Sequence, residues 1–205
     1  MGAAEAPMPV ELITGPARSG KSRWAEHRIT ELAARQPSAV VHYLATGPLL
    51  PDDPSWQERL RLHRERRPKS WRCDEVGLEL PGALERLGPG ELALVDSLGT
   101  WVSQALHLDR AGWAKASASL VHILERPPCR VLLVSEQVGW GVVPATAVGG
   151  LFRDRLGQLE EAIGGRCAHL WLVVAGRALD LLTLSQPVPA QPAEAPEGLG
   201  SGPLS

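Results

Sequence analysis

A chain of 205 residues suits one α/β domain with ample core. A net charge of −2 with 44% hydrophobic residues argues against a dedicated nucleic-acid or membrane-surface binder, and no apolar stretch approaches the roughly 18 residues of a spanning helix. Three cysteines, Cys73, Cys129 and Cys167, without C-x-x-C spacing argue against a disulfide framework and a structural zinc site, and point to a reducing cytoplasm.

Residues 1–9 lack a basic start followed by an apolar h-region, so neither export nor membrane insertion is expected. They are expected to form a flexible N-terminus before one domain over residues 10–185. Val10-Glu11-Leu12-Ile13 reads as a short strand, and Arg23 to about Ala34 reads as a helix. Between them lies Gly15-Pro16-Ala17-Arg18-Ser19-Gly20-Lys21-Ser22, the pattern G-x-x-x-x-G-K-[ST] of a phosphate-binding loop. Its glycines let successive amide N–H groups and the next helix N-terminus turn toward an anion. Lys21 is then expected to reach the β/γ-phosphates, and Ser22 to offer a hydroxyl to Mg²⁺.

Pro37-Ser38 breaks the pattern, and Ala39–Thr46 is a β-rich run ending in the small polar corner Thr46-Gly47-Pro48. Asp53-Pro54 opens a predicted helix that Pro68 closes, with Trp56, Leu60 and His63 at helical spacing. Trp71–Val76 reads as a strand and Leu80–Leu87 as a short helix stopped by Gly88-Pro89-Gly90. Glu91–Asp96 is an apolar run with a carboxylate at its C-terminal end, as the Mg²⁺-holding strand of a P-loop protein requires. Helices follow over Trp101–Leu108 and Trp113–Leu124, then a buried strand over Arg130–Ser135 and a glycine-bearing loop over Val138–Pro144. A helix over Val148–Ile163 and a strand over His169–Gly176 complete the domain. Residues 186–205 are rich in Pro, Ala, Gly and Ser, and disorder is expected there.

Strands that alternate with helices and read as continuous apolar runs predict an α/β fold, a P-loop NTPase-type (RecA-like), mainly parallel sheet with helices on both faces. Ligands bind such sheets at the carboxyl ends of the strands, which gathers Gly15–Ser22, Thr46, Asp96 and Ser135–Gln137 onto one edge, with Ala45 and Gly47 beside Thr46 counted among the nucleotide-binding residues. His27, His42, His107, His122 and His169 have no motif around them and read as structural. Seven tryptophans against one Tyr and one Phe mean that Trp fills the aromatic core roles, with Trp140 in the glycine loop as the exception.

Arg59–Arg72 carries seven of the 21 basic residues against one acidic residue, Glu65. Such a run is compatible with a solvated helix, with a lid clamping phosphates in a P-loop small-molecule kinase, or with a nucleotide-dependent module docking an acidic partner or nucleic acid. It is also compatible with nucleotidyl transfer, because an imidazole can attack phosphorus to form a phosphoramidate.

The motifs together resemble the bifunctional adenosylcobinamide kinase/adenosylcobinamide-phosphate guanylyltransferase family of cobalamin biosynthesis. The matching stretches are T-G-x-A-R-S-G-K-S at Thr14–Ser22, Y-[LI]-A-T at Tyr43–Thr46 and R-[LI]-x-x-H-R-x-x-R-P at Arg59–Pro68 with Trp71-Arg72. Further along they are V-G-x-G-[IV]-V-P at Val138–Pro144, F-R-D-x-x-G at Phe152–Gly157 and W-L-V-V-[SA]-G at Trp171–Gly176. The resemblance implies phosphorylation of adenosylcobinamide by ATP or GTP, then transfer of GMP from GTP through a guanylylated histidine, here His63. It also implies that Arg64, Glu65, Arg66, Arg67, Glu75 and Asp96 belong to the guanine-nucleotide site, that Mg²⁺ accompanies the nucleotide at Ser22 and Asp96, and that the enzyme is a cytoplasmic homotrimer.

Three departures stand out. Glu136-Gln137 occupies the place where the family often has Asn-Glu, Glu160-Glu161 that of Asn-Gln, and Asp96 that of a longer Glu. If the family's Glu serves as a base or metal-linked ligand in the kinase half-reaction, a neutral Gln137 cannot replace it.

Overall fold

The computed structural model describes residues 10–48, 52–54, 58, 61, 65 and 67–189. Its strands and α-helices are β1 (Val10–Thr14), α1 (Lys21–Arg35), β2 (Val41–Ala45), β3 (Arg72–Glu75), α2 (Leu80–Glu85) and β4 (Leu92–Asp96). They continue as α3 (Leu98–Gln104), α4 (Arg110–Glu125), β5 (Arg130–Val134), α5 (Ala147–Gly164), β6 (His169–Val174) and β7 (Arg177–Asp180). The strands form one sheet in the order β3-β2-β4-β5-β1-β6-β7, parallel throughout except for the antiparallel β6–β7 pair.

Alternation along each central strand divides the core in two. Leu12, Leu44, Val95 and Leu133 face one side, where Leu84 of α2, Trp101 of α3, Leu120 of α4 and Leu156 of α5 cover them. Ile13, Tyr43, Leu94 and Leu132 face the other, against Ala25 and Ile29 of α1. Burial on both faces explains why β4 and β5 read as nearly unbroken apolar runs.

Glu11 is the exception inside β1. Its side chain is wholly buried, and Arg28 of α1 donates to it through two nitrogens at 2.9 and 3.1 Å while the Trp171 indole N–H donates at 2.9 Å. A buried carboxylate persists only when paired and hydrogen-bonded in this way, so the cluster fixes α1 and β6 against β1.

Three helices begin earlier than the apolar spacing predicts, because polar side chains cap them. Ser97 accepts from the Thr100 amide and the Thr100 hydroxyl reaches the Ser97 amide, so α3 starts at Leu98 rather than Trp101. Asp109 accepts from the Gly112 amide and Thr146 from the Gly149 amide, which moves α4 and α5 forward to Arg110 and Ala147. The strand predicted to run to Gly176 stops at Val174. Ala175 and Gly176, at φ 50° and 74°, turn the chain back into β7, an edge strand with no counterpart in the sequence reading.

Trp101 is fully buried and packs beside Trp113, with ring centroids 5.7 Å apart, whereas Trp140 is 62% exposed. Of the helix predicted after Asp53, the described positions Pro54, Glu58, Arg61 and Glu65 are helical and exposed. His63, Arg64 and Arg66 lie outside the described residues, as do the segment 1–9 and residues 190–205 of the tail.

Candidate nucleotide site

β1 delivers Gly15 to the carboxyl edge of the sheet, and the loop that follows is held from two sides. The Gln137 amide donates to the Gly15 carbonyl at 3.0 Å, and the Gly176 amide donates to the Ser19 carbonyl at 3.0 Å. A Cβ on Gly15 would lie 2.2 Å from the Val173 carbonyl oxygen, so only glycine fits there. Gly20, at φ 102°, caps α1 with no side-chain acceptor, which leaves amides of the first turn available to a ligand. The Ser19 hydroxyl is buried with no partner and lies 3.0 Å from where a Gly15 Cβ would be, inside the loop. A buried hydroxyl without a bond is uncommon, and a phosphate oxygen would satisfy it.

Lys21 opens α1 and is 7% exposed, within Coulombic reach of Glu136. Ser22 beside it is half-buried, Pro16 is half-buried, and Ala17 and Arg18 are exposed, Arg18 in the left-handed region at φ 60°.

Asp96 ends β4, the third strand counted from the β3 edge, and accepts a 2.6 Å hydrogen bond from the Tyr43 hydroxyl. Burial, and then the Asp96 charge, push the Tyr43 phenol well above its ordinary range, so it stays a donor. The Arg67 guanidinium lies over the Tyr43 ring, 3.2 Å from its centroid. Tyr43 therefore joins two predicted site residues, Arg67 and Asp96, although it was not itself a predicted one.

Thr46 is fully buried, and its hydroxyl is engaged with the Ser97 carbonyl, the Ser97 amide and Thr100 Oγ1 at 2.5, 2.8 and 2.7 Å. The side chain thus locks the β2 corner to the start of α3, with Ala45 and Gly47 half-buried on either side. Glu75, exposed at the end of β3, borders a groove of about 540 Å³ together with His42, Asp74, Glu79 and Arg86. Within it His42 is bound 2.9 Å from Glu91, consistent with the structural role expected of it. Glu65 is exposed and ion-paired with Arg61, which also bonds Glu58 at 2.7 Å.

Glu136, just beyond β5, belongs to the stretch that the sequence places on the ligand edge, but no role there is read for it from sequence. Its carboxylate accepts from the Gly99 amide at 3.0 Å. Burial raises its proton affinity above the ordinary carboxyl range, opposed by Ser97, Lys21 and the Gly99 amide and reinforced by the nearby Asp96 charge. Gln137 turns away instead, its side-chain oxygen accepting from the Gly139 amide at 3.0 Å.

Glu160 of α5 sits behind the loop and accepts from the Thr14 hydroxyl at 2.7 Å. Burial raises its carboxyl too, opposed by the hydroxyls of Thr14 and Ser135. A folded-state pKa above the unfolded one means the native state binds more protons, so this group's ionisation costs stability as pH rises. Glu160→Gln keeps the acceptor for Thr14 and removes that charge. Its melting temperature is expected to rise about 2–4 °C near pH 8, the size that follows from about 1 kcal/mol in a chain of this length, with the gain fading as pH falls through the carboxyl range. Melting curves at several pH values check this, and a variant no more stable than wild type near pH 8 would contradict it.

The family profile described as cobinamide kinase / cobinamide phosphate guanyltransferase matches residues 11–181. The chain belongs to this family. The matched span runs from within β1 past the end of β7 and includes every site residue described above. The chain is 34% identical over 181 residues to "Bifunctional adenosylcobalamin biosynthesis protein CobU" of Escherichia coli (strain K12), with 80% of this chain and 95% of that relative covered. It is 35% identical over 173 residues to "Bifunctional adenosylcobalamin biosynthesis protein CobP" of Pseudomonas aeruginosa, with 83% and 96% covered. A third relative, the CobU protein of Salmonella typhimurium, is 32% identical over 180 residues, with 80% and 95% covered. Family membership makes the chain an enzyme of the bifunctional kinase and guanylyltransferase type.

Proposed function

We propose that the P-loop edge serves both half-reactions: phosphorylation of adenosylcobinamide by ATP or GTP, then transfer of GMP from GTP to the new phosphate through His63, giving adenosylcobinamide-GDP. The observation that carries this reading is the chain of contacts in which Arg67 lies over the Tyr43 ring and the Tyr43 hydroxyl donates to Asp96. It sets Arg67, four positions from His63 in the sequence, beside Asp96 at the carboxyl end of β4. In the guanylyl step a His63 nitrogen attacks the α-phosphorus of GTP, an N–P bond forms, and the bond to the bridging oxygen breaks with pyrophosphate leaving. An oxygen of the corrinoid phosphate then attacks the same phosphorus, and the N–P bond breaks to restore the imidazole.

The P-loop residues Gly15–Ser22 hold the phosphates in this scheme, with Lys21 supplying the charge and Ser19 a buried donor. Arg64, Arg66 and Arg67 add positive charge, and Glu75 on its groove is suited to the N–H edge of guanine. A RecA-like arrangement is supported by β5 lying between β1, which bears the loop, and β4, which bears Asp96. Among the described residues no three His, Cys, Asp or Glu converge as a metal cage. That fits Mg²⁺ carried by a nucleotide, which keeps several waters and takes one or two hard oxygen ligands from protein. Ser22 and Asp96 are the residues that would hold it, and the ion would neutralise charge on the phosphates. A cytoplasmic homotrimer belongs to the same reading, and the three free cysteines and the lack of a membrane-spanning helix among the described residues are compatible with it.

Intact-mass measurement after incubation with GTP tests the proposal. One covalently bound GMP, released by acid or by added adenosylcobinamide phosphate, is the expected result. Nucleotide turnover with no adduct would sink the covalent route and leave a simple P-loop kinase.

A further inference from the structure

Of the charged groups at the loop edge, Glu136 is the one to which neither the family pattern nor the mechanism above gives a task. Its position is closely determined. Beyond β5 the backbone stays paired with β1 and the P-loop, through the Ser135 amide to the Ile13 carbonyl at 2.8 Å and the Gln137 amide to the Gly15 carbonyl at 3.0 Å. Glu136 lies between these two anchors. The Gly99 amide holds one of its oxygens, and a Cβ on Gly99 would come within 2.0 Å of that oxygen, so the glycine leaves the room the carboxylate occupies. Lys21 and Asp96 are both within Coulombic reach. A carboxylate has about four acceptor positions; the Gly99 amide takes one and the Ser97 side chain another, which leaves room for a further donor.

We infer that Glu136 is the proton acceptor of the kinase half-reaction, receiving the hydrogen of the corrinoid hydroxyl as that oxygen attacks the γ-phosphorus. This rests on the family reading and deepens it. An O–P bond forms to the acceptor oxygen, the bond between γ-phosphorus and the β–γ bridging oxygen breaks, its electron pair leaves on the nucleoside diphosphate, and the proton goes to Glu136. Burial favours a group that must take up a proton, since it disfavours the charged form. Guanylyl transfer has no such need: a neutral imidazole nitrogen and then an already anionic phosphate are the nucleophiles. The carboxylate that Gln137 lacks is therefore supplied one residue earlier, while Gln137 serves its own loop.

Glu136→Gln separates this role from helix capping, because the amide oxygen can still accept from Gly99. The two reactions are assayed apart: formation of adenosylcobinamide phosphate from ATP, and formation of adenosylcobinamide-GDP from supplied adenosylcobinamide phosphate and GTP. The kinase kcat is expected to fall about 10²–10⁴-fold, the usual worth of general base catalysis, and to fall far more than guanylyl transfer. Glu136→Asp, which keeps a carboxylate, is expected to retain more kinase activity than Glu136→Gln. A kinase loss below about tenfold, an equal loss of both activities, or an aspartate variant no better than glutamine would each overturn the inference. A wild-type chain that phosphorylates no corrinoid would overturn the family reading, and this assignment with it. Wild-type kinase activity beside an undiminished Glu136→Gln variant would overturn the assignment alone.

Discussion

Lys21→Ala is expected to lose both half-reactions while leaving the fold intact. Lys21 stands at the first position of α1, 7% exposed, directly after Gly20 with its φ of 102°. Its ammonium is thus carried by a rigid helix start at the edge to which Gly15, Ser19 and Asp96 converge. A hydrogen bond to a charged group is worth about 1.5–3 kcal/mol, so GTP affinity should weaken roughly 10–100-fold. The charge that develops on the bridging oxygen in either transfer would lose its stabiliser as well, which costs a further factor of about 10²–10³ in kcat. Titration calorimetry with GTP, product assays for each half-reaction and a melting curve on the same preparation check the three parts separately. Unchanged GTP affinity in a folded variant would reject the phosphate role of the loop.

Much of this arrangement is legible from the chain alone because it is local. The β1–loop–α1 unit announces itself through an apolar run, a glycine spacing and a helical pattern within 26 residues, from Val10 to Arg35. The central strands are legible for a related reason, since burial on both faces leaves no polar alternation to misread. What sequence does not carry is which side chains meet across the sheet. Tyr43 reaches Asp96 because β2 and β4 pair with Ala45 opposite Asp96, a register fixed by the whole sheet and by no feature of either strand taken singly.

Helix starts fail for a simpler reason. Apolar spacing marks the residues that face the core, whereas Ser97 and Asp109 begin their helices about a turn earlier, and Thr146 one residue earlier, through side-chain bonds to backbone amides. The β6–β7 turn is missed because Ala175-Gly176 lacks the Asn-Gly or Asp-Gly signature of a two-residue hairpin, although both residues adopt positive φ. At Glu136-Gln137 the composition is visible but the direction is not. Of two adjacent residues past a strand end, only the backbone path decides which faces the nucleotide edge, and here the bonds of residues 135 and 137 to β1 and the loop put Glu136 there.

His63→Ala is expected to remove the covalent nucleotide entirely and, with it, guanylyl transfer. The expectation rests on chemistry more than on position. At neutral pH an unperturbed imidazole is largely uncharged and nucleophilic, whereas the five arginines that flank His63 in the sequence, Arg59, Arg61, Arg64, Arg66 and Arg67, stay protonated and cannot attack phosphorus. Arg61 is already committed to Glu58 and Glu65, and Arg67 to the Tyr43 face, so the basic segment is not a uniform solvated run. An N–P bond is acid-labile, while a phosphate ester on serine, threonine or tyrosine survives acid, so α-labelled GTP followed by an acid wash identifies the linkage. Lys21→Ala and His63→Ala should then fail differently: the first binds GTP poorly and forms little of either product, the second binds GTP and stops before the adduct. Acid-labile label persisting in His63→Ala would assign the nucleophile to another residue and end the mechanism proposed for this histidine.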